Sequence, residues 1–367
     1  MNPINFLKQI QSMLAFKKRK ILRDISTDYF GPEIIRIYPV GYLCNNSCPM
    51  CWRSNNVNNR DKKKFIALEK QNLTILEYQK ILTTLPPGVQ TIEIVGGGEP
   101  LLFNKIERLT NIIKKNFYTG SLITNGILLR PKMIDHLLRI KFDRIRVSIH
   151  ASNRQIYKLV NGVDNFKIVE DNIRLFLNKR RKIQNKAIHS LLSVLFVIQR
   201  TNYKDIYNFA LFAQDNGCDY IEFDTIYPYT KSMMLNKEEI SVVVDQLSKV
   251  TTYIFINNNA SSVIDLYKYQ PHAGENGVKS KTYYEDKKCT IPTISMILDS
   301  IGHVHPCCFL DNSEPENIDC GDFRQIGDIW TIWRQKLHRK IRKHLRSGKF
   351  YKTCIKSCNY ALSERLQ

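Results

Sequence analysis

The stretch IRIYPVGYLCNNSCPMC, residues 35–51, carries the pattern that decides the fold of this chain. It begins with alternating apolar residues, which are typical of a β-strand, and it ends in Cys44, Cys48 and Cys51. Three thiols on one short loop after a strand indicate a metal or cluster site at the carboxyl end of that strand. A closed zinc site takes four ligands, whereas a four-iron cluster held by three thiolates leaves one iron free. A zinc loop that borrows a distant fourth ligand is the alternative.

Beyond this stretch, β-rich runs alternate with helical patterns as far as Pro228, as in βα units on a parallel sheet. One helix start is marked by a capping box of Thr74 and Glu77. A full eight-unit barrel takes about 250 residues, so six units predict an α/β fold with a partial (β/α)6 TIM-like barrel. Function is then expected at the carboxyl ends of the strands. The predicted strands are Ile35 to Leu43, Thr91 to Val95, Ser121 to Thr124, Arg144 to His150, Leu191 to Ile198 and Tyr220 to Ile226.

The 367 residues divide into four predicted segments. These are a basic N-terminal extension over 1–34, the partial barrel over 35–230, a helix and linker over 231–288, and a small cysteine-rich domain over 289–367. The polar run Asn257 to Lys288 shows little periodicity and is interpreted as linker. In the last segment the pattern predicts a hairpin of Ile294 to Leu298 with His303 to His305, and a basic helix over about Ile329 to Arg346.

A glycine run at the second strand strengthens the interpretation of the cysteines. It reads Gly96-Gly97-Gly98-Glu99-Pro100. Glycines let a chain approach a ligand closely, and Glu99 with exposed carbonyls can accept hydrogen bonds from an ammonium group. Together with Cys-x3-Cys-x2-Cys, this run resembles the signature of the radical S-adenosylmethionine (SAM) enzymes over about residues 35–230. The resemblance implies a [4Fe-4S] cluster on the three cysteines and SAM bound at the glycine run.

Two further strand ends are similar to those of the family. Asn125 lies in a Thr-Asn-Gly turn after the third strand, and Ser148 matches a strand-four serine near the SAM ribose and carboxylate. Two positions depart from the family pattern: Met50 stands where an aromatic residue is frequent, and Lys158 to Asn161 stands where many relatives carry an arginine for the carboxylate. The partner of the SAM carboxylate therefore stays open.

The chemistry implied by the resemblance is reductive cleavage of SAM to a 5′-deoxyadenosyl radical that abstracts hydrogen from an organic substrate. An external electron donor such as a flavodoxin or ferredoxin is implied as a partner. His150, Glu222 and Asp224 lie on strand positions that could face the barrel interior. They are candidates for acid–base catalysis, and a hydrogen-bond network that braces the sheet is the alternative.

The C-terminal cysteines form a second group. Cys289, Cys307, Cys354 and Cys358 are the predicted ligands of one auxiliary [4Fe-4S] cluster, because their layout resembles the SPASM and Twitch extensions of radical SAM enzymes. Cys308 could replace Cys307. Four sulfurs also suit a zinc ribbon, so zinc remains the alternative at this site.

Composition limits the remaining possibilities. With 43% hydrophobic and 24% charged residues, the chain has the composition of a globular protein, and no long apolar run or export signal predicts a membrane span or secretion. Free clustered thiols in a large chain fit a cytoplasmic protein. The net charge of +21 permits nucleic acid as a partner. A basic zinc-thiolate nucleic-acid-binding protein is less favoured, because it leaves the glycine run unexplained.

The substrate class is the least determined prediction. Only 43 residues precede Cys44, too few for the fused peptide-recognition domain of many peptide maturases. This favours oxidation or modification of a small molecule or carbohydrate intermediate. A maturase of a ribosomally synthesised peptide or protein, with a separate peptide-recognition partner, is the alternative.

The two cysteine groups predict the metal content. After anaerobic reconstitution, the protein is expected to hold about eight irons, four for each cluster. Metal analysis by mass spectrometry measures this number. Four irons together with one zinc would contradict the assignment of the auxiliary cluster.

Overall fold

The computed structural model of the chain describes residues 29–51, 53, 69–183, 189–226, 231–269, 288–308, 318–351 and 354. The strands are β1 Ile34–Ile37, β2 Thr91–Ile94, β3 Thr119–Thr124, β4 Arg144–Ser148, β5 Leu191–Ile198, β6 Tyr220–Thr225, β7 Asn257–Asn258, β8 Ser295–Leu298 and β9 Val304–His305. The helices are α1 Ile75–Thr83, α2 Ile106–Lys115, α3 Pro131–Arg139, α4 Arg154–Asn161, α5 Phe166–Ile183, α6 Ile206–Asn216, α7 Lys237–Tyr253, α8 Ala260–Tyr269, α9 Ile291–Ile294, α10 Phe323–Ile326, α11 Ile329–Arg334 and α12 Lys336–Arg346. Across the described ranges, no helix is long and apolar enough to cross a membrane.

The described strands form one sheet in the order β7-β6-β5-β4-β3-β2-β1-β8-β9. Every neighbouring pair is parallel except β8 and β9. Six consecutive parallel strands, β1 to β6, confirm the predicted α/β fold with a partial barrel. Since parallel strands place their carboxyl ends at one edge, the loops that follow β1 to β6 gather on the same side of the sheet.

Successive side chains along each strand alternate between two environments. Ile35, Ile37 and Val147 are buried in the apolar core. On the opposite face, partly buried charges pair across strands: Arg36 Nε lies 2.6 Å from Glu93 Oε2 on the neighbouring strand. Alternation with period two produces this division, so the interior of the partial barrel is lined by polar side chains.

The first part of the predicted linker contains regular structure, so the interpretation is wrong for residues 257–269, whereas 270–287 lie outside the described residues. Strand β7 pairs with the start of β6, and helix α8 follows it. The Asn259 side chain accepts a hydrogen bond from Phe223 N at 2.7 Å and donates one to Phe223 O at 2.9 Å. The Asn259 side-chain amide thus makes the hydrogen bonds that a longer β7 would make. Because the residues of β7 are polar, the hydrophobic pattern of the sequence does not indicate a strand there.

The C-terminal part joins the barrel sheet. The predicted hairpin is confirmed as β8 and β9, and β8 pairs in parallel with β1, with Ile35 opposite Met296. The predicted single basic helix is instead two helices, α11 and α12, because Gln335 between them is extended, with ψ of 150°. Trp333 before this break packs on the guanidinium of Arg342 at 4.1 Å from the ring centroid.

One arginine connects the C-terminal part to the first helix of the barrel. Arg324 in α10 donates from Nε to Glu77 Oε1 at 2.6 Å. The same guanidinium donates to the backbone carbonyls of Gln71 at 2.8 Å and of Asn72 and Ile301 at 3.3 Å. The bond from Arg324 lowers the pKa of Glu77 to about 2, from the ordinary value of 4.5. The Arg324 guanidinium therefore connects α10 to the start of α1 and to the turn after β8.

Replacing Arg324 is expected to loosen this junction. Arg324→Ala should lower the free energy of unfolding by about 1–2 kcal/mol, the value of charged hydrogen bonds discounted for partial exposure. Because Glu77 has a lowered pKa when folded, its contribution is full above pH 4.5 and is lost as the pH falls towards 2. Denaturant unfolding at pH 7 and pH 3 measures both effects.

Arg154 provides the matched control, since it pairs with Asp164 at 2.7 Å on the surface and makes no bond between distant parts of the chain. Arg154→Ala should change stability little at either pH. Equal effects of the two substitutions would contradict the anchoring role of Arg324.

Candidate functional site

A cavity of about 310 Å³ opens at the carboxyl ends of the strands. It brings together the loop after β1, the glycine run after β2 and the ends of β3 to β6. The predicted residues that line it are Cys44, Cys48, Cys51, Gly96, Gly97, Gly98, Glu99, Pro100, Asn125, Ser148 and His150. Segments far apart in the sequence therefore converge on one space at the predicted edge of the sheet.

The loop that carries the cysteines is fixed at Leu43, the residue before Cys44. Leu43 N donates to Glu69 Oε1 at 3.0 Å, and Leu43 O accepts from Glu99 N at 2.8 Å. Farther along the loop, Cys51 N donates to Cys48 O at 3.0 Å. Backbone bonds thus set the position of the first cysteine and the turn between the other two.

The glycines are required by this loop. A Cβ at Gly98 would lie 2.1 Å from Leu43 O, and a Cβ at Gly96 would lie 2.9 Å from Val40 O. Either side chain would displace the cysteine loop. The glycines were predicted to allow close approach of a ligand, and the structure adds a close approach of the chain to itself.

Glu99 lines the cavity and accepts hydrogen bonds from three groups of the protein. Its side chain is buried, and its carboxylate accepts from Leu101 N at 3.0 Å, Thr124 Oγ1 at 2.6 Å and Asn125 N at 2.8 Å. Burial raises the pKa of Glu99, and the three donors oppose this. The carboxylate thus joins the end of β2 to the Thr-Asn-Gly turn.

Asn161 at the end of α4 holds the cysteine loop from the other side. Its Nδ2 donates to Ile149 O at 3.0 Å, which fixes the amide, and its Oδ1 accepts from Asn46 Nδ2 at 3.4 Å. The backbone also takes part, since Ser47 N donates to Asn161 O at 3.1 Å. Next to it, Gly162 has φ of 68°, and a Cβ there would lie 2.3 Å from Ser47 O.

No structural role was predicted for Asn161, which lies in the segment where many relatives carry an arginine. The Asn-Gly pair at a helix end was the available signal, because glycine in the left-handed region commonly ends a helix.

The thiols of the loop suit a cationic cluster. Burial raises the pKa of Cys44, and burial together with Cys51 and Cys44 raises the pKa of Cys48 to about 12. Two donors face Cys44 Sγ, Asn46 N at 3.4 Å and Asn125 Nδ2 at 3.9 Å. Buried thiols of this kind become thiolates when iron is bound to them, and donors to sulfur stabilise the ligated state.

The three cysteines together with the adjoining space fit a [4Fe-4S] cluster with SAM. In the described ranges, no three His, Cys, Asp or Glu side chains converge on a single point as ligands of one metal ion do. Thiolates on a four-iron cluster bind different irons and need no such point.

Arg53 supplies positive charge to the cavity. It is the one Lys or Arg among the described residues that line this space. Its guanidinium donates to Asn46 O and lies 5.5 Å from the centroid of the Tyr42 ring. Its charge lowers the pKa of Cys44 against the effect of burial. Arg53 is a site residue that the sequence analysis missed, and its place two residues after Cys51 was the only signal.

Two of the three acid–base candidates lie outside the cavity lining. Glu222 is paired with Arg146 at 2.5 Å inside the barrel, and Asp224 Oδ1 accepts from the neighbouring Thr225 N at 2.9 Å. The ion pair of Glu222 joins two strands and fits the bracing alternative. Of the three candidates, the structure places only His150 at the cavity.

The C-terminal cysteines are described in part. Cys289, Cys307 and Cys354 are buried, and Cys289 N donates to Leu345 O in α12 at 3.1 Å. Cys358 lies outside the described residues. The four-cysteine ligand set therefore stays a prediction.

Two family models match parts of the chain. Residues 38–213 match the model of the radical SAM superfamily, and residues 289–359 match that of SPASM, an iron–sulfur cluster-binding domain. A probable GTP 3′,8-cyclase of Saccharolobus islandicus is 25% identical over 230 residues, which are 62% of this chain and 67% of that protein.

Two solved structures share the fold. Streptococcus suis SuiB bound to S-adenosylmethionine has a TM-score of 0.64 at 16% identity and covers 89% of this chain and 72% of its own. The protein anSMEcpe with bound AdoMet and Cp18Cys peptide has a TM-score of 0.59 at 18% identity and covers 89% of this chain and 86% of its own.

The contact between Gly98 and Leu43 can be tested by one methyl group. Gly98→Ala is expected to displace the cysteine loop, so the reconstituted protein should lose the first cluster and hold about four irons instead of eight. Iron analysis and the visible absorption of the folded protein measure the loss.

Gly120→Ala is the control, because its Cβ would lie 2.3 Å from the Phe142 ring at the opposite end of β3. It should lower the melting temperature and leave the iron content of the folded protein unchanged. Full iron content in Gly98→Ala would contradict the proposed constraint.

Proposed function

The chain is a radical SAM enzyme with a C-terminal SPASM domain, and from this premise we propose that it abstracts hydrogen from a ribosomally synthesised peptide or a protein. The observation that carries the radical chemistry is the convergence of Cys44, Cys48 and Cys51 with the glycine run in one cavity. The cluster and SAM, when bound there, supply reductive cleavage to a 5′-deoxyadenosyl radical.

The residues of the chain have separate tasks in this proposal. Leu43, Glu99 and Asn161 hold the loop and the strand ends in fixed positions through backbone and buried hydrogen bonds. The carbonyls of the glycine run accept from the amino group of SAM. Arg53 attracts the carboxylate of SAM. A preorganised site of this kind keeps a reactive radical away from water and from the wrong bond.

The choice of a peptide rather than a nucleotide rests on charge. A triphosphate calls for several cationic side chains that bind its oxygens. The described lining of the cavity contains one, Arg53, and its guanidinium already donates to Asn46 O. The barrel arginine Arg146 is paired with Glu222. A peptide needs no such cations, and the fold shared with SuiB and anSMEcpe, the latter solved with a peptide, is compatible with this choice.

The SPASM domain implies auxiliary iron–sulfur clusters. A cluster whose irons are all bound by cysteines has no open site and acts by moving electrons. We propose that it accepts the second electron from the substrate radical, which makes oxidation of the substrate the natural outcome. A flavodoxin or ferredoxin would supply the electron for SAM cleavage.

The substrate class can be tested before the substrate is known. Cells of the source organism are grown in deuterated medium, and their extract is separated into a protein fraction and a fraction of small molecules. The enzyme is incubated with SAM, dithionite and each fraction. Hydrogen abstraction transfers deuterium, so 5′-deoxyadenosine should gain one mass unit with the protein fraction, as read by mass spectrometry.

Digestion of the protein fraction to amino acids should abolish the mass gain. A gain seen only with the small-molecule fraction would refute the peptide proposal and favour modification of a small molecule or carbohydrate intermediate.

A further inference from the structure

His150 stands at the end of β4 in a conformation that non-glycine residues rarely adopt. Its φ is 59°, and its side chain is 4% exposed. The backbone is fixed on both sides, since His150 N donates to Leu195 O at 3.2 Å and His150 O accepts from Asn202 Nδ2 at 3.0 Å. Strained positions that the surroundings hold so firmly are found mainly at functional sites.

The imidazole is also oriented. Val197 N donates to His150 Nδ1 at 3.1 Å, so Nδ1 acts as acceptor and the ring proton lies on Nε2. Burial lowers the pKa of His150 to about 3, and the nearby Leu195 carbonyl opposes this only in part. At neutral pH the ring is therefore uncharged, with one N–H left to donate.

The residues that line the cavity change along the row of strands. The cysteine loop and the glycine run lie beside β1 and β2. Beside β4 to β6 the lining is formed by His150, Val197 and Ile226. Met50 of the cysteine loop reaches this second part, because its Sδ accepts from Gln199 Nε2 at 3.4 Å. The zwitterionic methionine half of SAM suits the first part, and the faces of its adenine suit the apolar side chains of the second.

We propose that His150 donates a hydrogen bond from Nε2–H to the adenosyl group of SAM and does not transfer protons. This inference rests on the radical SAM part of the proposed function and is independent of the substrate class. His150 then positions the adenosyl group, whose 5′ carbon becomes the radical centre, with respect to the substrate.

Two substitutions separate the donor role from a bracing role. In His150→Asn, the side-chain oxygen can still accept from Val197 N, and asparagine tolerates the left-handed backbone. This variant lacks the Nε2–H. In His150→Gln, the amide NH₂ reaches the position of Nε2, and Val197 N loses its acceptor.

The test measures binding to the reconstituted holoenzyme under anaerobic conditions without substrate, with SAM, 5′-deoxyadenosine and methionine as separate probes. His150→Asn should bind SAM and 5′-deoxyadenosine about tenfold more weakly, the loss expected from one hydrogen bond, with methionine binding and the melting temperature unchanged. His150→Gln should show the reverse, with affinity kept within about threefold and a lower melting temperature.

Wild-type affinity for SAM in His150→Asn would overturn the proposal, because bracing alone would then explain the residue. Equal weakening of 5′-deoxyadenosine and methionine would overturn it as well, since a contact with the adenosyl group affects only the first probe. If the wild-type holoenzyme itself bound no SAM, the proposed function would fail instead.

Discussion

The site depends on the contact between the Leu43 carbonyl and the backbone of Gly98 and Glu99. This contact joins the end of β1 to the end of β2, and a single methyl group at Gly98 would lie 2.1 Å from the carbonyl oxygen. Since Glu99 also accepts from Thr124 and Asn125, the same two residues extend the connection to β3. On the far side, Asn161 attaches the loop to β4 and α4. The position of the cysteine loop is thus set by contacts at the ends of four strands, β1 to β4.

The electrostatics of the cavity follow from burial. Cys44, Cys48, Glu99 and His150 line one cavity, and burial displaces the pKa of each of these groups towards its neutral form. Buried charge is costly unless it is paired or bonded to metal. Bound iron would stabilise the thiolates of Cys44 and Cys48, Glu99 is matched by three donors, and His150 remains an uncharged donor. Arg53 is the one Lys or Arg in the described lining of the cavity.

Much of this site could be predicted from the sequence because its parts are local. Cys44 to Cys51 and Gly96 to Pro100 each lie within a few residues, and the alternation of β4 placed Ser148 and His150 on one face. The six barrel strands and the hairpin were predictable for the same reason. Contacts between residues that are distant in the sequence could not be predicted. The pairing of β8 with β1, the bonds of Arg324 to the first helix and the contacts of Asn161 depend on three-dimensional packing that no local pattern encodes.

Glu222 shows what strand alternation leaves open. Alternation placed Glu222 inside the barrel, but position alone could not reveal that Arg146 pairs with it.

The regular structure over 257–269 was missed for a related reason. Asn257 and Asn258 are poor strand formers on their own and join the sheet through tertiary contacts.

The central claim is that Cys44, Cys48 and Cys51 hold a cluster with one iron open to SAM. Its most direct test is the amount of 5′-deoxyadenosine formed from SAM and dithionite by the reconstituted wild-type enzyme and by a variant in which all three cysteines are alanine. The account predicts formation by the wild type and none by the folded variant, which should still retain its C-terminal iron. Cleavage of SAM by the triple variant at a comparable rate would contradict it.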